Sequence, residues 1–105
     1  MRIIVMFDLP VKTKSDVKKA NTFRRFLLND GYYMVQYSIY VRVCNGLDSV
    51  NIHKSRLKLA IPAEGSIRIL TVTEKQYANI DVYLGKKEKK CIKDNNANYE
   101  LISFF

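Results

Sequence analysis

One histidine, His53, and two cysteines, Cys44 and Cys91, are all the imidazole and thiol in this chain of 105 residues. The cysteines are far apart and form no CxxC pair, so zinc, haem-attachment and thioredoxin-type sites lack their residues. Nucleophilic triads and zinc hydrolysis are disfavoured for the same reason. Two free thiols in a reducing compartment is the simplest assignment. No apolar run approaches the roughly 18 residues of a spanning helix. The N-terminus also lacks the cationic-then-apolar layout of a signal peptide, so a cytoplasmic protein is expected. Acidic residues are scarce: ten Asp plus Glu face eighteen Lys plus Arg, a formal charge of +8 and a pI near 9.6. That balance points to polyanions such as nucleic acid or an anionic membrane.

The length suits one domain over 1–105, and 48% hydrophobic residues suffice for a modest core. The opening MRIIVMFDLP puts five consecutive apolar residues, Ile3 to Phe7, before a carboxylate, Asp8. This run is long enough for a strand buried on both faces and too short for a membrane span. Asp8 then falls at the rim of a sheet. Partial burial there would require a metal ion, a Lys or Arg, or backbone amides to meet its charge, and a capping role is the plainer alternative.

After Pro10 the pattern turns helical. Thr13 with Asp16 fits a capping start and Gly31 a stop, bracketing a helix of about 16 residues. Val17, Ala20, Phe23, Phe26 and Leu27 mark its apolar face, and Lys14, Lys18, Lys19, Arg24 and Arg25 make the rest basic. YYMVQYSIYVRV (32–43) alternates as strand, without a Gly, Pro or Asn to say whether it is one strand or two. Its odd positions, from Tyr33 to Val43, are expected to face the core. A second helix follows, capped by Asp48 or Ser49, with Leu47, Val50, Leu57, Ala60 and Ile61 at helical spacing and His53 one step off that stripe, a packing or surface residue. SIRILTVT (66–73) is a strand, Glu74 to Asn79 a turn or short helix, and Ile80 to Leu84 a further strand. A basic and polar loop is expected over 88–98, following a core of 1–87, and a C-terminal docking strand over 99–105.

The order βαββαβ with two covering helices predicts an α+β, ferredoxin-like domain. One sheet face would stay uncovered, and a symmetric homodimer, sheet to sheet, would cover it. A second Asp8 from the dimer mate would supply two carboxylates for Mg²⁺, which one Asp alone cannot hold. In such a dimer Lys12, Lys14, Lys18, Arg24 and Arg25 would contact phosphates without reading sequence, with Arg42 and the Lys86–Lys90 run as weaker candidates. A regulatory or RNA-binding domain of the same fold would instead stack bases on Tyr32, Tyr37 and Tyr40, although the RNP-type signature is missing.

MRIIVMFDLP, NTFRRFLLNDG (21–31), QYSIY (36–40) and LTVTEKQY (70–77) occur in that order. Together they resemble the CRISPR-associated protein two (Cas two) family, in the version found in type II-A systems, through about Lys87. The resemblance implies a ferredoxin-like homodimer that binds the backbone of duplex DNA. Such a dimer is the scaffold on which the Cas one integrase acquires spacers for antiviral defence. It also implies, as the alternative, a Mg²⁺-dependent endonuclease, toxin-like, with Asp8 as metal ligand and catalytic residue and Ser38 at the same interface. Phe7 stands where many relatives have Tyr, and Lys12 and Lys14 where others have Arg. Lysine binds phosphate as a point charge without the bidentate fork, which favours the scaffold over the nuclease.

Overall fold

Residues 3, 5 and 7 of the first strand share one face because a strand alternates its side chains. The computed structural model describes residues 1–85 and places β1 at Arg2–Asp8, α1 at Lys14–Asn29, β2 at Tyr33–Gln36 and β3 at Ile39–Val43. After these come α2 at Leu47–Ala60, β4 at Ser66–Val72 and α3 at Glu74–Ala78. The expected loop over 88–98 and strand over 99–105, with Lys86–Lys90, lie outside the described residues.

The chain falls into two compact units, Met1–Thr73 and one that begins at Glu74. In the first, four strands form one sheet in the order β2-β3-β1-β4, with every neighbouring pair antiparallel. This is the ferredoxin-like arrangement expected from the element order. Ile3, Val5 and Phe7 of β1 and Tyr40 of β3 pack with Phe23 and Leu27 of α1 and with Val50 and Leu57 of α2. Burying each large aliphatic or aromatic side chain stabilises the fold by about 1.5–3 kcal/mol. In the second unit, α3 is a single helical turn and a half, and Tyr83 makes an isolated bridge. Ile80–Leu84 is therefore not the strand its apolar residues suggest. Apolar alternation alone does not make a strand, which needs a continuous hydrogen-bonded neighbour.

Helix α1 begins as expected. Thr13 Oγ1 accepts from the Asp16 amide (3.0 Å), and Asp16 Oδ2 accepts from the Thr13 amide (3.3 Å), a reciprocal capping box. Ala20, Phe23 and Leu27 are its buried residues, while Val17 is exposed. Helix α2 differs: Gly46 is its N-cap and no side chain caps it, so Asp48 and Ser49 lie inside the helix. Its buried stripe is Val50, His53 and Leu57.

The stretch 32–43 is a hairpin. Tyr37 and Ser38 make the turn, with Ser38 at φ +64°, and a bulge at Val35 separates the Met34 and Gln36 pairings. The expected facing is reversed there. Tyr40 enters the helix-covered core, and Tyr33, Val41 and Val43 stand on the other face. The cause is register: Val41 lies opposite Ile4, which alternates with the core residues Ile3 and Val5. Tyr33 and Leu70 align with the same row, and Arg2, Val43 and Val72 form the next. Tyr33, Val41 and Val43 thus lie on the face of the sheet away from the Tyr40 core, where Ile4 and Val41 at its centre are buried and the residues around them are half-open. Tyr33, Val43 and Leu70 are 42%, 50% and 51% exposed there.

Candidate nucleic-acid interface

Asp8 is the last residue of β1, opposite Ser66, the first of β4. It is exposed rather than partly buried, and its carboxylate makes no hydrogen bond or ion pair among the described residues. The expected reason for a waiting cation therefore falls away, because a solvated carboxylate carries little desolvation cost. Gly65 fixes the approach of β4 to this position. It adopts φ +101°, and a Cβ on it would lie 2.6 Å from Leu9 Cδ2 and 2.8 Å from the Asp8 carbonyl oxygen. Only glycine suits that backbone and that gap.

On the other side of β1, the Phe7 amide donates to the Ser38 carbonyl (3.1 Å). This bond ties the β2–β3 turn to the residue before Asp8, so Asp8, Ser38 and Ser66 share one rim of the sheet. Arg24 of α1 reaches the same rim. Its guanidinium donates to Tyr37 Oη (3.1 Å) and to Asn21 Oδ1 (3.2 Å), and lies 5.2 Å from the Tyr37 ring centre and 5.9 Å from that of Phe7. Phe7 in turn stacks on Tyr40 at 5.6 Å and meets Phe23 edge-on at 5.1 Å.

Lys12, Lys14, Lys18 and Arg25 are exposed, on the loop after β1 and along α1. Chain connectivity brings Lys12 and Lys14 next to the Asp8 rim. Arg42 lies elsewhere, its Nε donating to the Asp30 carbonyl (2.7 Å) and its Nη1 to the Val43 carbonyl (2.7 Å). It is half-buried and engaged at the end of α1, near the opposite end of β1 from Asp8. Arg68 was not singled out from the sequence. It is exposed, pairs with Met6, and shares the open face with Ser66 and Asp8. The alternation Ser66, Arg68, Leu70 carried that signal, because strand residues two apart share a face.

His53 is neither plain packing nor surface. Its Nδ1 lies 2.8 Å from Asp30 Oδ2, both side chains about 10% exposed, and Arg56 donates to Asp30 Oδ1 at 2.9 Å. Burial pushes the Asp30 carboxyl up, but the hydrogen bonds from His53 and Arg56 and their charges outweigh it and hold it below the ordinary 3.8. Tyr32 is buried nearby with an unbonded Oη. Burial first, then the charge of Asp30, push its phenol up to about 12. Tyr32 and Tyr40 are both core residues, so neither is a base-stacking ring on an exposed sheet face; Tyr37 alone of the three is exposed.

A cleft lined by Leu9, Pro10, Ala20 and Pro62, with Asp16, Lys19 and Glu64, has a cavity volume of only about 10 Å³, room for about one water molecule and far below the roughly 300 Å³ of small-molecule sites. Among the described residues no three of His, Cys, Asp or Glu converge as a metal site, and no helix is long and apolar enough to cross a membrane. One chain offers Asp8 alone at the rim, which does not fit the needs of a divalent cation.

The chain resembles known proteins over most of its length. It is 53% identical over 85 residues to the CRISPR-associated endoribonuclease Cas2 of Acidovorax ebreus (strain TPSY), covering 81% of this chain and 83% of that one. It is 43% identical to the protein of the same name from Parvibaculum lavamentivorans (strain DS-1), covering 85% and 88%. The crystal structure of Streptococcus pyogenes Cas2 at pH 6.5 superposes with a TM-score of 0.60 at 23% identity, over 81% of this chain and all of that one, a likeness of fold. The family described as CRISPR associated protein Cas2 matches residues 1–80; with a four-stranded sheet of the expected order and relatives at this identity, the chain belongs to the Cas2 family.

Proposed function

We propose that this Cas2 protein works as a homodimeric scaffold that grips the backbone of duplex DNA and assembles with the Cas one integrase for spacer acquisition. The observation that carries the reading is the division of surfaces within the first unit. One sheet face is apolar and open at Tyr33, Val43 and Leu70, which suits a second copy. The Asp8 rim is followed by exposed Lys12 and Lys14, and Lys18 and Arg25 are exposed farther along α1, which suits phosphates. A twofold axis through the open face would double the +8 of the chain and set two basic surfaces along one duplex. Lysine-rich contact of this kind is blind to sequence and releases counterions. Affinity for a blunt duplex should therefore fall with salt at a log–log slope of about 0.9 per phosphate neutralised. Fluorescence anisotropy across a salt series, with sedimentation velocity for the dimer, tests it. A salt-independent affinity, or a monomer that binds as well as the dimer, would overturn it.

A second reading is favoured by the free carboxylate of Asp8 and by the relatives' name of endoribonuclease. It requires the Asp8 of a second copy before Mg²⁺ has enough oxygen donors. Asp8→Ala separates the two: RNA or DNA cleavage by purified protein should vanish under the nuclease reading, whereas duplex binding should persist under the scaffold reading.

A further inference from the structure

We propose that Tyr37 is a stacking subsite for one unpaired nucleobase, placed so that the strand carrying that base runs past Asp8. The proposal rests on the nucleic-acid reading above and deepens it by naming a substrate feature, a strand end or unpaired segment, that backbone contacts do not recognise.

Tyr37 is 75% exposed at the tip of the β2–β3 hairpin, where its ring adds nothing to the core. The ring is nevertheless held. Arg24 donates to its hydroxyl at 3.1 Å with the guanidinium 5.2 Å from the ring centre, and Arg24 is itself fixed by Asn21 and by its place over Phe7. Phe7 stacks on the buried Tyr40. A column of rings with one cation thus runs from the core, through Phe7 and Arg24, to a solvent-exposed aromatic. A ring ordered in advance loses little freedom when a base stacks on it, and Arg24 adds positive charge beside the π-system. Every nucleobase has a π-face, so the subsite would tolerate any sequence.

The location gives the stack its use. Tyr37 is followed by Ser38, whose carbonyl is bound by the amide of Phe7, the neighbour of Asp8. A base seated on Tyr37 therefore brings its adjoining phosphate to the Asp8 rim, beside the exposed Lys12 and Lys14. A purely structural role would rest on the Arg24 to Tyr37 Oη bond, which phenylalanine cannot make. A stacking role would rest on the ring, which phenylalanine keeps.

The test uses the full chain and three probes of one sequence carrying 2-aminopurine: single-stranded RNA, single-stranded DNA and a blunt DNA duplex. Tyr37→Ala should lose about tenfold in affinity for a single strand and lose the 2-aminopurine quench, while duplex affinity stays within about twofold. Tyr37→Phe should keep both affinity and quench. Loss confined to RNA or to DNA assigns the sugar, and loss on both assigns the base alone. Equal single-strand binding by wild type and Tyr37→Ala, a proportional loss on the duplex, or failure of Tyr37→Phe alongside Tyr37→Ala would each overturn the subsite. A wild type that binds duplex but no single strand removes this proposal only, whereas one that binds neither removes the reading beneath it.

Discussion

Replacing Asp30 by alanine should cost far more stability than its position at a helix end suggests. The carboxylate is about 10% exposed and joins the end of α1 to two residues of α2, His53 at 2.8 Å and Arg56 at 2.9 Å. A buried hydrogen bond involving a charge is worth about 1.5–3 kcal/mol. The Arg56 end is 57% exposed and is discounted to about 0.2–1 kcal/mol for solvent screening. Removing the carboxylate also leaves the Nδ1 of the buried His53 without that partner. The total is about 2–3 kcal/mol, or about 10–20 °C in Tm for a unit of this size. The pH dependence has a definite sign. Because the folded Asp30 carboxyl is held below 3.8, its contribution is fully present above that value and is lost as pH falls through the folded value. Thermal melts followed by circular dichroism should therefore show a constant gap between wild type and Asp30→Ala from neutral pH to about 5, narrowing below 3.8. A Tm within about 2 °C of wild type at pH 7, or a gap that does not narrow in acid, would refute the reasoning.

Thr13→Ala removes half of the capping box that starts α1 and should cost about 1 kcal/mol, seen as a lower urea midpoint with unchanged slope. Gly65→Ala forces a side chain into φ +101° and against Leu9 and the Asp8 carbonyl. The backbone alone costs about 1–2 kcal/mol, so a melt unchanged from wild type would contradict the close approach. Tyr32→Phe deletes a buried hydroxyl that has no partner and should be neutral or stabilising at pH 7. Since the folded phenol titrates near 12, wild type should lose stability between pH 10 and 12 that the variant keeps, and parallel pH curves would count against this.

Much of the fold was legible because it depends on local signals. The capping pair Thr13 and Asp16 is three residues apart, and the helix it starts ends where Gly31 permits a left-handed turn, so α1 emerges at full length. The alternation in SIRILTVT is likewise local and marks β4. Sequence resemblance through QYSIY and LTVTEKQY also carried the family. The site was less legible. Asp8 at the end of β1 and the lysines after it could be placed by connectivity, but Arg42 could not be told from them. Its engagement with the Asp30 carbonyl is a contact between elements distant in the chain. Arg68 went unnoticed although the alternation held it, because the pattern does not say which face stays open.

The sequence by itself determined the order of elements, the capping of α1, the basic surface and the carboxylate at the end of the first strand, since each follows from residues a few positions apart. Tertiary structure alone decided which face of β3 the helices cover. An alternating strand is apolar on two faces here, and only pairing with β1 selects Tyr40 for the core and leaves Val43 outside. It also decided that Asp30 and His53 meet, and that Arg24 reaches Tyr37 beside Asp8, because those distances depend on how helices lie on the sheet and not on any spacing along the chain.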